Sequence, residues 1–373
     1  MSRFNISPLK IPKRLLMGPG PSMVADSILE KMGAAPVGHL DPYFLSLMEE
    51  IKRMLREVFQ TSNEFTFPVS GTGSAGMEFC LVNLIEPQDK VLVGINGLFG
   101  RRIADLALKL GANVQTLEVP WGESIEADQL KKALDELQPK VVALVHAETS
   151  TGIRNPIEEL SPLICQSGAL FILDTVTSLG GIPVFIDRWG VDATFSATQK
   201  CIGAPPGLSP VSFSPRAMEI VSKRKTKIPS WYFDCLLLHG YWGMDRIYHH
   251  TAPTNNNYGL HEALRLILEE GLENRWQRHH NAYCRLKKGL SELGLEFFTP
   301  DNRRLSQLNA VKVPEGKDEA LLRQKLLDQY GIEIGPGLGP LKGKIWRIGL
   351  MAEGAREECV DKLLVSLEEV LKS

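Results

Sequence analysis

Few residues in this chain have both the type and the setting for chemistry, and the first of them is Lys200 in "SATQKCIGAPPG". Apolar, strand-like residues precede it ("VDATFSA") and small, rigid ones follow, whereas surface lysines ordinarily sit among other charges on helices. An amine in such a place can act as a nucleophile or carry a proton. Asp174 closes the apolar run "FILD". An unpaired carboxylate there would be costly, so the position asks for a cationic partner. A glycine-rich turn, "SGTGSAG", places Thr72, Gly73 and Ser74 at the start of a helical run. The free N–H groups and dipole of a helix start favour an anion, and a phosphate suits them.

Gly71, Gly73 and Gly76 also fit the dinucleotide pattern G-x-G-x-x-G between strand and helix. That pattern needs an acidic residue at the end of the next strand to hold the ribose. The next strand, "VLVGI", ends in Asn96-Gly97, so the second half is missing. A phosphate cradle without a ribose clamp, together with a lysine at a strand end, points instead to pyridoxal phosphate. That cofactor asks for a lysine to condense with its aldehyde and a carboxylate to keep its ring nitrogen protonated. It also needs a phosphate site and apolar or aromatic faces against the ring. Val176, just beyond Asp174, and Phe99 in "NGLFG" can cover the two faces.

The elements that must position these residues alternate along the chain. "LSLMEEIKRMLREVF" (45–59) has helical spacing, and "MEFCLVNLI", "RRIADLALKLG" and "PIEELSPLICQSG" read as helices. "FTFPVS" (65–70), "KVLVGI" (90–95), "VVALVHAE" (141–148), "ALFILD" (169–174) and "DATFSA" (192–197) read as short strands. This predicts a mostly parallel sheet buried on both faces. Between Asp174 and Lys200 there is room for a helix-like piece and a strand, which would bring both residues to the sheet edge where ligands bind. From about residue 258 one long helical stretch leads to the strands "LNAVKV" (308–313) and "KIWRIGL" (344–350) and a final amphipathic helix. We therefore predict an α/β chain with an N-terminal arm over 1–16, a large domain over 17–272 and a smaller α+β domain over 273–373.

Composition narrows the class. The 373 residues are 43% hydrophobic and 23% charged with a net charge of −2, enough apolar content for a large core. No charge block resembles a nucleic-acid arm or a polybasic membrane segment, and no 18-residue apolar run occurs. The six cysteines are scattered, which favours free thiols and a cytoplasmic protein. His249-His250 and His279-His280 are adjacent pairs whose side chains point apart on a strand or a helix, so no metal site is expected. Cys201, beside the lysine, reads as a buried filler facing away from it.

"DTVTSLGG" followed by "SATQKCIGAPPG" resembles the class V (fold-type I) aminotransferases. The likeness runs from "LLMGPGPS" almost to the C-terminus. "HAETSTGI", "RKTKIPSWYFD", "YHHTAP", "EEGLENRW", "IEIGPGLGP" and "WRIGL" are similar to the alanine–glyoxylate/serine–pyruvate branch. The resemblance implies that Lys200 bonds the cofactor, Asp174 pairs with its ring nitrogen, and Thr72, Gly73, Ser74 and Gln199 hold its phosphate. It further implies Thr149 near the ring hydroxyl, and Val176 and Phe99 on the ring. Arg347 would grip the substrate carboxylate, with Gly20 lining the substrate side. Tyr248 and Thr251 would reach the phosphate of a neighbouring subunit in a homodimer. The reaction implied moves the amino group of alanine, or alternatively serine, to glyoxylate (or, with serine, to pyruvate). Phe99 stands where relatives often have tryptophan, and Ser74 where they often have histidine. By its residues alone, Arg347 reads as a salt-bridged strand edge, and the "KRKTK" run (223–227) as a solvated face or part of the site entrance. A desulfurase-type lyase on the same fold would need a mobile cysteine after "WRIGL". "MAEGARE" has none, and Cys359 falls in the last helix.

Overall fold

The structure, a computed structural model, describes residues 7–372, so the first six residues of the predicted arm lie outside it. Seven strands form the main sheet, in the spatial order Phe65–Ser70, Leu208–Phe213, Ala193–Phe195, Leu170–Asp174, Val141–Val145, Lys90–Ile95 and Asn113–Glu118. Only Leu208–Phe213 runs antiparallel to its neighbours. The central strands are buried along almost their whole length because helices cover both faces, and their sequences are correspondingly continuous apolar runs. The loops that leave the parallel strands at their carboxyl ends therefore share one edge. Those loops carry Thr72–Ser74, Phe99, Thr149, Val176 and Lys200.

Two expected details differ. No helix forms between Asp174 and Lys200: residues 175–192 make turns, interrupted by Gly180, Gly181, Pro183 and Gly190. The segment still anchors itself by burying Leu179, Ile186 and Trp189. The run 141–148 is not one strand. Val141–Val145 belongs to the main sheet, and Ala147–Glu148 pairs separately with Ile153–Arg154.

A second core gathers Met17 with residues from 282 to 370. Its antiparallel sheet has Ile345–Gly349 between Leu308–Lys312 and Gly335–Pro336. Strand alternation sends Trp346 and Ile348 into this core and Arg347 to the other face. The long helical stretch is two helices, Thr254–Glu270 and Leu272–Glu292, broken at Gly271 with φ +80°. Among the described residues no helix is long and apolar enough to cross a membrane.

The three glycines of "GTGSAG" have geometric reasons. Gly71 has φ +145°. A Cβ on Gly76 would lie 1.9 Å from Ser209 Oγ and 3.1 Å from Phe195 Cβ, so the helix Gly73–Leu84 can approach the sheet only without a side chain there. Gly76→Ala should therefore destabilise the fold by roughly 1–3 kcal/mol. A urea-denaturation midpoint equal to wild type would show that Ser209 simply turns away.

Candidate active site

Lys200 sits inside the wide helical turn Thr198–Ile202. Its Nζ donates to the Pro19 carbonyl, and a Cβ on Gly20 (φ +105°) would fall 2.7 Å from that Nζ. The "GPG" loop thus closes over the amine and needs glycine to do so. Burial, and then the nearby Arg347 cation, lower the Lys200 pKa to about 8. Such an amine is readily deprotonated near neutrality and can take up a proton.

Asp174 ends its strand 5% exposed, and its Oδ1 accepts from the Val176 amide at 2.8 Å. Burial raises its pKa to about 7, Glu148 pushes the same way, and that amide and Lys200 oppose them. Among the described residues it has no ion-pair partner within 4.0 Å. Gly73 meets Val176 and Ala197 at the same place: a Cβ on Gly73 would be 2.9 Å from Ala197 Cβ and 3.4 Å from Val176 Cγ2. Thr72 and Ser74, beside it, are exposed. Gln199 Oε1 is buried and has no hydrogen-bond partner among the described residues.

Arg347 reaches this cluster from the second core. It is 6% exposed; Nε donates to Pro336 O at 2.7 Å and Nη1 to Thr149 O at 3.4 Å. Burial lowers its pKa to about 10. It makes no ion pair among the described residues, so the salt-bridged strand edge expected from its residues alone is not what forms.

Sequence reasoning passed over Glu148. It is fully buried, with Oε1 accepting from Ser150 N (2.9 Å) and Ser150 Oγ (2.6 Å) and Oε2 from the Phe99 amide (2.9 Å). It thereby fixes the start of the helix Leu98–Lys109, whose Phe99 is half-buried with the Arg102 guanidinium 5.0 Å from its ring. A carboxylate in the apolar run "VVALVHAE" was a signal of the kind that singled out Asp174.

The structure thus brings Gly20, Gly73, Asp174, Val176 and Lys200 together, with Gln199 beside the lysine and Thr149 and Arg347 facing them. Tyr248 and Thr251 do not join. Both are exposed, and Tyr248 lies against His39 with ring centroids 5.3 Å apart. Their segment is nonetheless tied near the glycine turn, because His250 Nε2 and Ser70 Oγ are 2.8 Å apart.

A family model for class V aminotransferases matches residues 23–344. The chain belongs to the class V aminotransferases. It is 42% identical to an alanine–glyoxylate aminotransferase of Drosophila melanogaster, over 98% of this chain and 94% of that one. It is 39% identical to an (S)-ureidoglycine–glyoxylate transaminase of Bacillus subtilis, over 96% of this chain and 91% of that one. The crystal structure of an alanine–glyoxylate aminotransferase from Nostoc sp. superposes with a TM-score of 0.97 at 49% identity, covering 99% of this chain and 98% of that one.

Class V aminotransferases use pyridoxal phosphate, and the residues of this aminotransferase fit it. A buried carboxylate without a cation suits a protonated ring nitrogen, the N–H groups of a helix start suit a phosphate end, and an amine of lowered pKa lies near that carboxylate.

Three other expectations resolve here. Cys201 is buried as expected, with Sγ 3.3 Å from Thr177 O, and lies with Lys200 in the turn Thr198–Ile202. The 223–227 run is largely a solvated face: Lys223, Lys225, Thr226 and Lys227 are exposed, while Arg224 Nη1 holds the carbonyls of Asn83 (2.8 Å) and Ile85 (3.0 Å), and Glu86 accepts from the amides of Lys225 and Thr226. His249 and His250 do not point apart. Their segment is irregular and their Nδ1 atoms are 2.9 Å apart.

The raised Asp174 pKa has a consequence for stability. The folded protein holds that proton up to about pH 7, whereas the unfolded chain releases it near 3.8. Stability therefore falls as pH rises between those values, and the full cost applies above pH 7. In cofactor-free protein, Asp174→Asn should be more stable than wild type at pH 8, by up to about 4 kcal/mol, with the difference vanishing below pH 4. Urea unfolding across that range checks it, and a difference independent of pH would refute the buried-charge account.

Proposed function

We propose that this enzyme is an alanine–glyoxylate aminotransferase, moving the amino group of a small amino acid to glyoxylate. The observation that carries the reading is Arg347, a buried guanidinium held by two carbonyls and lacking a carboxylate partner among the described residues. A substrate carboxylate would supply that partner, with bidentate geometry. Alanine and glyoxylate each have one carboxylate, which matches one such guanidinium. A dicarboxylate donor would need a second, and the other well-buried guanidiniums are already paired, Arg275 with Glu270 and Arg304 with Asp301 among them. The names of the similar proteins support glyoxylate as acceptor.

In this reading Thr72, Gly73, Ser74 and Gln199 hold the cofactor's phosphate, Asp174 its ring nitrogen, Thr149 its ring-hydroxyl side, and Val176 and Phe99 its faces. Lys200 holds its aldehyde carbon, and Gly20 lines the substrate side. When bound, pyridoxal phosphate supplies an electron sink for the pair left at the substrate's Cα. Asp174, kept from water, favours the charged ring nitrogen on which that sink depends. Lys200 Nζ, freed when substrate binds, would take the Cα proton and, as the ammonium, would deliver it to the cofactor carbon it had held, after which water can release the keto acid and leave the amino group behind. Arg347 orients the Cα–H bond toward that Nζ.

A homodimer fits the exposed residues. Tyr248 (58% exposed) and Thr251 would reach a second copy's phosphate, and Trp231, Met244 and Ile247 are exposed apolar side chains in the same stretch of the chain. All six cysteines are free, which suits the cytoplasm.

Lys200→Ala should abolish turnover while leaving the fold and some cofactor binding intact. Near wild-type turnover would end the proposal. With glyoxylate as acceptor, alanine or serine should outrun aspartate and glutamate, with (S)-ureidoglycine included in the same panel. A dicarboxylate donor preferred by about tenfold, 1.4 kcal/mol, would overturn the small-substrate reading. Arg347→Ala should raise KM for every donor and lower kcat/KM; unchanged kinetics would remove Arg347 from the site.

A further inference from the structure

The stretch "EEGLENRWQR" has no part in the site above, yet three of its side chains form a closed ionic cluster. Glu270 ends one helix, Gly271 turns the chain, and Arg275 and Arg278 reach back from the next helix. Arg278 donates Nε to Glu270 Oε1 (2.6 Å) and Nη2 to Oε2 (3.0 Å), while Arg275 donates Nη1 to Oε2 (2.8 Å). Their other bonds go to backbone carbonyls. Arg275 holds Gly180 O (Nε, 3.1 Å) and Cys201 O (Nη2, 2.8 Å), and Arg278 Nη1 holds Ala352 O (2.8 Å) and Ala355 O (3.0 Å).

Those four carbonyls belong to the segments that carry the site. Cys201 follows Lys200, Gly180 lies on the turns that follow Asp174, and Ala352 and Ala355 lie just beyond the strand that carries Arg347. The two sides also touch directly: a Cβ on Gly203 would be 2.7 Å from Ala352 Cβ. Arg275 is only 4% exposed. Burial works against the charge of Glu270, but the two guanidiniums prevail and hold its pKa down to about 2, so the cluster stays ionised at any ordinary pH.

We propose that Glu270, Arg275 and Arg278 are positioning residues that set the separation between Lys200 and Arg347, an inference that rests on the roles proposed for those two. An amino acid held at its carboxylate by Arg347 must present its Cα–H bond to Lys200, so an error in that separation misaligns the reaction. An amine without a carboxylate uses Lys200 alone and is indifferent to it.

Glu270→Gln removes the shared carboxylate. Arg278→Lys keeps the charge but cannot bridge a carboxylate and two carbonyls, and it carries the test should the first variant fold poorly. In cofactor-free protein, hydrogen exchange should quicken together at Gly203 and Ala204 and at Gly354 and Ala355, whose amides are bonded within the two clasped segments. Val142 and Ile172 in the main sheet should not change. In the holoenzyme, kcat/KM for alanine should fall about tenfold or more, while the slow reaction with ethylamine stays within about twofold of wild type. Faster exchange in only one segment, uniform acceleration throughout, or equal losses for alanine and ethylamine would overturn the proposal. An active Lys200→Ala enzyme would instead overturn the roles assigned to the site and leave the exchange result untouched, so the two failures are distinguishable.

Discussion

Asp174, Lys200 and Arg347 are held largely away from water beside one edge of the parallel sheet, without ion-pair partners among the described residues. Burial has moved each toward its neutral form, the acid up to about 7, the amine down to about 8 and the guanidinium down to about 10. The Glu270 carboxylate of the same protein, partly buried, has two arginines and is held near 2. The contrast separates two uses of buried charge. A completed cluster stabilises its own ionised state and fixes geometry, whereas an incomplete one leaves its groups poised to accept a ligand that supplies the missing charges.

The remainder of the fold keeps that incomplete cluster from relaxing. Asp174 cannot swing out, because it ends a strand buried on both faces and its carboxylate is tied to the Val176 amide. Lys200 is held in a turn between Pro19 and the Arg275-anchored carbonyl of Cys201. Arg347 is fixed through strand alternation by the burial of Trp346 and Ile348 on its other side. Glu148 performs the same service for the wall bearing Phe99, with its charge spread over several donors and not over a cation.

How far the sequence disclosed this arrangement follows from the physics of each part. Strands buried on both faces write themselves as apolar runs, so Lys90–Ile95 and Leu170–Asp174 were legible almost to the residue. Asn113–Glu118 was not, because it is the edge strand and its side chains are half-solvated and largely polar. Leu208–Phe213, which alternates Ser209 and Ser212 with apolar residues and carries Pro210, lacks the continuous apolar run of the central strands. Lys200 and Asp174 were visible as charges in apolar company. Glu148 stood in similar company, but its partner amide at Phe99 is distant in the chain, and no local pattern encodes that pairing. The Glu270 cluster shows the same limit: the spacing of Arg275 and Arg278 does not encode their carbonyl partners at Gly180, Cys201, Ala352 and Ala355.

The glycine turn leaves one side of the site open in a single chain. Gly73 is buried against Val176 and Ala197, whereas Thr72 and Ser74 on either side of it face outward. A dianionic phosphate bound there would have helix amides on one side and bulk water on the other, a setting in which charge-assisted bonds are weakened by solvent. The nearby "YHHT" segment, anchored through His250 to Ser70, leaves Tyr248 and Thr251 exposed. Two-fold pairing is the simplest arrangement in which such donors serve a phosphate without belonging to the same chain, since a self-complementary contact carries each segment to the other's turn. The same contact would cover Trp231, Met244 and Ile247, whose exposure in the isolated chain is otherwise unfavourable. Dimerisation and completion of the phosphate site would then be one event, with apolar burial providing the association energy and the hydroxyl donors excluding the last water.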